Sequence, residues 1–492
     1  MRNIAHLFFL FARHNYKLLK FCAQPLKRFP KIWAFGTALC DAIKDLLSEK
    51  EVGPYTKIAD PIMHNVLPNW LVEEMKNVHR IEPRIFPSKQ LLHSISEHIV
   101  PETRLAEPYK YLVSVYGENV THVLLVPWVN RGGADLVTIN YLKVLTKLSS
   151  VKRIILVATY PSESLWKNKI PPEITFIEFG MMFKHLSNDE QRKLLAMFLV
   201  QMAPPVIHNI NSELGYVVFC MHGNALKTQS HLFASSFCFE YSQEGLCSGY
   251  SVSYIPECYE SLSAVFSDNE THIHSMMNLF GFSENKFSVH YQPAPTLAKK
   301  RPTARQAQDC LNILWAGRIA RQKRPDILIE IARQCQHKHF SFHVYGMPDH
   351  ESHHYLQLFA EIENIHYHGA FDGLSTLSGN KFDVFLYTSQ WDGLPNILLE
   401  AIAMHLPVIS ADVGGIGEII KDKETGFLVQ PQDNYKQYIA YLDLCATDQD
   451  VVEQITSQAI DLIVRRHTWK NFSSLLLQHS SYILSSSTIN GH

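Results

Sequence analysis

The residues best suited to chemistry are Asp392, Gly393, Leu394, Pro395, Asn396, Ile397 and Glu400, which follow the apolar run 382–388 and open a helical pattern. Gly393 lets the backbone approach a ligand closely, and proline suits a first helical position, where its missing N–H would have no partner. The amides of residues 396 to 398 would then be free at a helix N-terminus, a place that binds phosphate. Glu400 lies roughly 7 to 8 Å further down such a helix at ~1.5 Å per residue. That is the reach from a diphosphate to the vicinal hydroxyls of a ribose, which a carboxylate accepts in pairs. Asp392, on the preceding loop, would face the other end of the same ligand.

A second group follows another apolar run, 311–315. Gly317 is succeeded by Arg318, Arg321, Lys323 and Arg324, and Pro325 opens the next helical pattern. A diphosphate leaving group develops negative charge that nearby cations stabilise, which singles out Arg318 and Lys323. Basic residues at a helix start are ordinarily a solvated face, so this cluster gains its meaning from the 392–400 segment.

Both groups need parallel strands to present them. Residues 311–429 alternate short apolar runs with helical stretches, the pattern of a doubly wound α/β domain, whose ligands collect at the carboxyl ends of the strands. Residues 116–295 repeat the pattern, with candidate strands around 121–129, 151–159, 174–180, 204–210, 216–222, 263–269 and 286–293. In that first domain the glycine loop Arg131-Gly132-Gly133 follows the first strand. The expected organisation is an extension over 1–115, a first Rossmann-like domain over 116–295, a linker over 296–310, a second Rossmann-like domain over 311–450 and returning helices over 451–492.

The 492 residues are 46% apolar, and 45 Lys and Arg against 47 Asp and Glu leave a formal net charge of −2. No global basic field exists to hold nucleic acid. Nine cysteines, scattered and never spaced as CxxC, match neither a disulfide framework nor a zinc site, and point to a reducing, cytoplasmic setting. Residues 1–40 carry seven Lys or Arg and no acid, interleaved with aromatics and leucines. No run approaches the ~18 to 20 apolar residues of a membrane span, and signal and transit peptides fit less well. Two readings remain for 1–40: a basic segment peripheral to an anionic membrane surface at its inner face, or a helix packed on the next domain. Residues 41–115 offer no chemically interpretable motif.

The segments 317–323 (GRIARQK), 392–400 (DGLPNILLE), 406–420 (LPVISADVGGIGEII) and 425–429 (TGFLV) resemble the retaining glycosyltransferase family 4 in order and spacing. The resemblance covers nearly all of the second domain and implies a GT-B fold, two Rossmann-like domains facing a cleft that the Arg131-Gly132-Gly133 loop borders, with the acceptor on the first domain and the donor on the second. It implies transfer with retention from a nucleoside-diphosphate sugar, as by a hexosyltransferase-type enzyme; the basic start of 1–40 points to a glycan or lipid-linked acceptor, and neither a cofactor nor a metal is expected. By resemblance, Arg318 and Lys323 contact the donor diphosphate, Glu400 the ribose, and the amides of Gly393, Leu394, Asn396 and Ile397 the phosphate. Asp392 stands where the family usually has Glu, at the donor sugar. The family's H-x-H histidine has a counterpart around His208, with Asn209 and Asn211 as alternatives, because Ile210 replaces the second histidine.

Other features invite blander readings. Asp448-Gln449-Asp450 imitates a metal-binding Asp-x-Asp but sits in a polar turn, and His350, His353 and His354 lack the second half of a zinc site. Gly414-Gly415 reads as a tight turn before a helix that starts at Glu418. An oxidoreductase on paired Rossmann domains is disfavoured, since neither first strand is followed by GxGxxG. A non-catalytic sugar-nucleotide-binding scaffold remains the alternative to an enzyme.

Overall fold

The computed structural model describes residues 77, 80, 81, 104–117, 119–298, 309–377 and 382–484. By its internal contacts the chain divides into residues 1–103 and 104–492, and both sheets lie in the second unit. The basic segment 1–40 and the linker positions 299–308 lie outside the described residues.

The first sheet contains β1 (His122–Val126), β2 (Ile154–Ala158), β3 (Thr175–Ile177), β4 (Val206–Ile210) and β5 (His231–Ser235). A small antiparallel pair, β6 (Glu240–Tyr241) and β7 (Cys247–Ser248), stands apart, and β8 (Ala264–Ser267) with β9 (Phe287–Val289) complete the sheet. All seven strands run parallel in the order β3-β2-β1-β4-β5-β8-β9. Every residue of β1, β2 and β4 is buried, as expected when helices cover both faces of a parallel sheet.

The second sheet is built from β10 (Leu311–Ala316), β11 (Phe340–Tyr345), β12 (Ile365–Gly369), β13 (Val384–Tyr387), β14 (Val408–Ala411) and β15 (Phe427–Val429). These are also parallel, ordered β12-β11-β10-β13-β14-β15. Strand order reverses between β1 and β4 in one sheet and between β10 and β13 in the other. Beyond the carboxyl ends at such a reversal, adjacent loops diverge and open a crevice. The loops there are 127–132 after β1, 317–324 after β10 and 388–395 after β13, so topology alone places the two sequence groups together.

The chain crosses back at its end. Helix Gln449–Arg466, capped by Asp448, buries Ile455 and Ile463 among second-domain residues. Helix Trp469–Leu477 instead sets Phe472 and Leu476, with Tyr482 beyond it, against Tyr141 and the first-domain core.

Two local expectations need correction. Residues 216–222 are not a strand but part of helix Glu213–Leu226, which Ser212 caps by accepting from the Gly215 amide at 3.0 Å. An unbroken apolar run shows neither helical nor strand period, so the cap decides. The strand at that place in the sheet is β5, whose polar ends His231 and Ser235 hide three apolar residues. No helix starts at Glu418, because the 3₁₀ turn Gly414–Glu418 ends there and the chain passes on to β15.

Candidate functional site

Lys323 and Asp392 meet at the reversal point of the second sheet. Trp315 of β10 donates its indole N–H to the Thr388 hydroxyl (3.0 Å), and that hydroxyl donates to the Lys323 carbonyl (2.7 Å). The chain bends sharply here: Arg324 takes a left-handed φ of +51° just before Pro325, the first residue of helix Pro325–Gln334. Lys323 is thereby directed at β13. Its ammonium pairs with the Asp392 carboxylate and donates to the Tyr387 hydroxyl at 2.5 Å, while that hydroxyl donates to Asp392 Oδ2 at 2.5 Å. Burial, reinforced by the Asp392 charge, raises the Tyr387 phenol well above its ordinary range, so it stays protonated. Gln322 and Gln390 join the two loops further, with Gln390 N donating to the Gln322 carbonyl at 2.7 Å. Arg318 is exposed at the end of β10 and bonds Gln322 Oε1 at 3.3 Å.

Pro395 is the cap before helix Asn396–Ala403 and not its first residue. The Leu398 amide turns back to the Pro395 carbonyl (3.0 Å), and the Gly393 amide is held by its neighbour Asp392 Oδ1 (3.1 Å). Of the amides anticipated for an anion, those of Asn396 and Ile397 keep the orientation of a helix start. The Asn396 side-chain amide donates to the Gly133 carbonyl at 3.3 Å, so the glycine loop of the first domain touches the start of this helix. Gly132 caps helix Gly133–Leu145, and Asp135 in its first turn accepts from Asn130 N at 2.9 Å. The Asn396 Oδ1 atom is buried without a hydrogen-bond partner.

Glu400 projects toward the segment after β12. Its Oε2 accepts from the Leu374 amide at 2.6 Å, and a Cβ on Gly373 (φ +88°) would stand 3.4 Å from the same oxygen. Burial raises the Glu400 carboxyl, against the Leu374 amide and the Lys169 charge, which lower it.

Four cross-cleft contacts were not legible in the sequence. Asp268, at the end of β8, accepts from the Leu394 amide (3.4 Å) and the Asn269 side chain (2.6 Å), and burial lifts its carboxyl to about 8. Gly393 is essential to that fit, since a Cβ there would lie 2.8 Å from the Phe237 carbonyl and 2.9 Å from Asp268 Oδ1. Arg321 donates to the Tyr241 and Ser242 carbonyls of the β6–β7 hairpin and lies 4.7 Å over the Trp391 ring. At the other end, Asp372 accepts from the Trp166 indole (2.6 Å) and from Lys169 (3.0 Å). Glu418 accepts from Thr271 N (2.9 Å) and Oγ1 (2.7 Å) and from the Tyr291 hydroxyl (2.9 Å).

His208 lies elsewhere. It is fully buried in β4, with Nδ1 2.8 Å from the Tyr482 hydroxyl and Nε2 2.8 Å from Ser235 Oγ, and burial lowers its imidazole to about 3. Both nitrogens are engaged within the core and the ring is neutral. Asn209 is tied to Ser212 (3.0 and 3.2 Å), and Asn211 turns the chain with φ +58°. Asp448 serves as a helix cap, accepting from Val451 N at 3.1 Å. Among the described residues no three His, Cys, Asp or Glu side chains converge as metal ligands. Among them, too, no helix is long and apolar enough to cross a membrane.

The family model described as "Glycosyl transferases group 1" matches residues 310–448. An uncharacterized 41.2 kDa protein in the cps region of Klebsiella pneumoniae is 29% identical over 166 residues, 32% of this chain and 45% of that protein. The O-antigen biosynthesis glycosyltransferase WbnH of Escherichia coli is 28% identical over 178 residues, 36% of this chain and 49% of its own. The chain thus spans about half the length of these curated relatives. Among solved structures, the glycosyltransferase from Rickettsia africae ESF-5 has a TM-score of 0.55 at 17% identity, covering 75% of this chain and all of that one. Anabaena HepE, solved with UDP and glucose, reaches 0.60 at 15% identity over 74% of this chain and all of its own. The two parallel sheets are therefore a GT-B fold.

Proposed function

We propose, from the match of residues 310–448 to the glycosyl transferases group 1 family model, that the whole chain moves a hexose from a nucleoside diphosphate to a hydroxyl, with retention. The observation that supports this best is the placement of Asp392 and Glu400 at opposite ends of one strand-to-helix turn, with Lys323 beside Asp392. Glu400 would receive the two ribose hydroxyls, and Arg318 with the amides of Asn396 and Ile397 the diphosphate. Lys323 would shift from Asp392 toward the leaving phosphate as its charge develops. Asp392 would then accept from the sugar hydroxyls.

In this reading the acceptor oxygen bonds to the anomeric carbon as the bond from that carbon to the phosphate oxygen breaks. The acceptor proton passes to the departing phosphate, so no protein base is required. His208 has a structural part.

The acceptor is a glycan or lipid-linked glycan, in keeping with the O-antigen assignment of WbnH, and residues 1–40 would hold the protein at an anionic membrane surface on the cytoplasmic side. Deleting them should weaken binding to vesicles containing anionic lipid; unchanged binding would remove the membrane part alone. A second reading, a sugar-nucleotide-binding scaffold without turnover, is favoured by one observation: the Leu394 amide is already occupied by Asp268.

Release of nucleoside diphosphate from UDP-, GDP-, ADP- and dTDP-hexoses separates these readings. The transferase releases it from one donor, slowly to water and faster with acceptor. A protein that binds a donor yet releases nothing is the scaffold.

A further inference from the structure

Helix Glu213–Leu226 and the segment 254–261, which comprises helix Ile255–Cys258 and the 3₁₀ turn Tyr259–Ser261, lie side by side in a constant register. At one end the Tyr216 and Tyr254 rings stack, with centroids 5.6 Å apart and 5° between their planes. At the other, Gly223 packs so closely on Ser261 that a Cβ added to it would stand 2.8 Å from the Ser261 Cβ and Oγ. Cys220 and Cys258 fall between these contacts, and all three pairs have the same separation in sequence. The register therefore brings the two cysteines face to face.

One backbone oxygen sits beside both. The Tyr254 carbonyl accepts from the Cys258 amide at 3.1 Å, and Cys220 Sγ lies 3.6 Å from it. The two thiols are hydrogen-bonded to each other, and both are free. Cys258 is buried, whereas Cys220 is only partly so. The bond from Cys258 holds the Cys220 thiol below its ordinary value, against burial and the Glu257 charge. The same bond, together with burial, raises Cys258 and keeps it protonated. The more accessible sulfur is thus also the one that ionises, and a thiolate is the nucleophilic form.

We propose that Cys220 and Cys258 form a redox-modification site, which takes a peroxide at Cys220 and closes to a reversible disulfide between helix Glu213–Leu226 and the segment 254–261. The Cys220 thiolate attacks one peroxide oxygen. The O–O bond breaks, leaving a sulfenic acid on Cys220, and the departing hydroxide takes up a proton as water. Cys258 sulfur then attacks Cys220 sulfur, the S–O bond breaks, and the Cys258 proton leaves with the hydroxyl as a second water. Two electrons pass from the two sulfurs to one peroxide, and a thiol reductant restores the dithiol by exchange. The bond braces the stretch that leads from the β6–β7 hairpin, gripped by Arg321, to β8 and Asp268. The site is independent of the transferase reading.

The test is to treat the reduced full chain with a stoichiometric amount of hydrogen peroxide and map its peptides without reduction. Cys220 should be found linked to Cys258, and dithiothreitol should return both thiols. In Cys258→Ser, dimedone should trap Cys220 as the sulfenic acid, at a rate at least ~10-fold above that of the exposed Cys247, whose thiol burial raises. If Cys258→Ser does not fold, the wild-type map decides alone. Because the two cysteines are already aligned, the oxidised wild type should melt a few degrees higher than the reduced protein. Cys220 remaining a thiol while Cys247 reacts, Cys220 linked to any other cysteine, or a disulfide that lowers the melting temperature would overturn the proposal.

Discussion

Lys323 and Asp392 neutralise one another through a part-buried ion pair, each side chain 16% exposed, with the Tyr387 hydroxyl bonded to both. The cation expected at a leaving phosphate is thus held by the carboxylate expected at the sugar. On the proposed function donor binding would loosen that pair, and a change at either residue also unbalances the charge of the other.

Asp392→Asn should therefore free Lys323 for phosphate while removing the carboxylate from the sugar. Nucleoside diphosphate should bind as tightly as to wild type or up to ~10-fold tighter, whereas turnover should fall by about 10²–10³. Calorimetry and a donor-release assay measure the two quantities. Weaker nucleotide binding with unchanged turnover would mean that Asp392 does not stand at the sugar end.

The cross-cleft contacts should bias the domains toward closure. Arg321→Ala combined with Asp372→Ala removes the hairpin clasp and the Trp166–Asp372 hydrogen bond. Exposed contacts of this kind are worth ~0.2–1 kcal/mol each, so the double variant should shift the open population several-fold. Small-angle scattering of the unliganded protein should report a larger radius of gyration than wild type. An identical radius would mean that other contacts, such as those of Glu418, hold the cleft.

Asp268 should leave a pH signature. Burial, aided by the nearby Asp392 and Glu418 charges, lifts its carboxyl to about 8, whereas an unfolded Asp titrates near ~3.9. Between those values the folded protein keeps a proton that the unfolded chain has lost, so stability falls as pH rises from about 4 to 8. Asp268→Asn keeps an acceptor for the Leu394 amide and cannot ionise. Its melting temperature should exceed wild type by a few degrees above pH 8, the gap closing toward acid. Buried His122, lowered to about 4, and His208 and His272, both lowered to about 3, act in the opposite sense. They cost stability as pH falls below about 6.5, but equally in both proteins. A gap independent of pH would remove Asp268 as its source.

His208 separates a core role from a catalytic one. His208→Ala strips Ser235 and Tyr482 of a partner and opens a void in β4, which should cost about 3 kcal/mol or more. The melting temperature should drop while the folded fraction keeps its turnover. A stable variant slowed by the roughly 10²–10⁴ of lost acid-base catalysis would restore the catalytic assignment.

What the sequence disclosed follows from chain locality. The 392–400 and 317–325 segments combine glycine, proline and charge at strand ends, so composition and order alone indicate a strand-to-helix turn with a ligand at its mouth. Asp268 is 126 residues from Leu394, and no local pattern announces a contact across that separation. Tyr387 read only as one residue of the apolar run 382–388, because the sequence does not show that Lys323 reaches it. Pro395 was misplaced by one position, and the Leu398 and Leu394 amides proved occupied, since caps depend on what the backbone meets. His208 was singled out by its place after a middle strand, but burial of the whole of β4 leaves it facing the core.

The central claim, a nucleoside diphosphate held between Arg318 and Glu400, is tested most directly by a thermal-shift panel of UDP, GDP, ADP and dTDP, with UDP, the nucleotide in the HepE structure, tried first. One nucleotide should stabilise the wild-type protein, and both Arg318→Ala and Glu400→Ala should lose that stabilisation while melting cooperatively without ligand. A shift that survives in both variants would contradict the account.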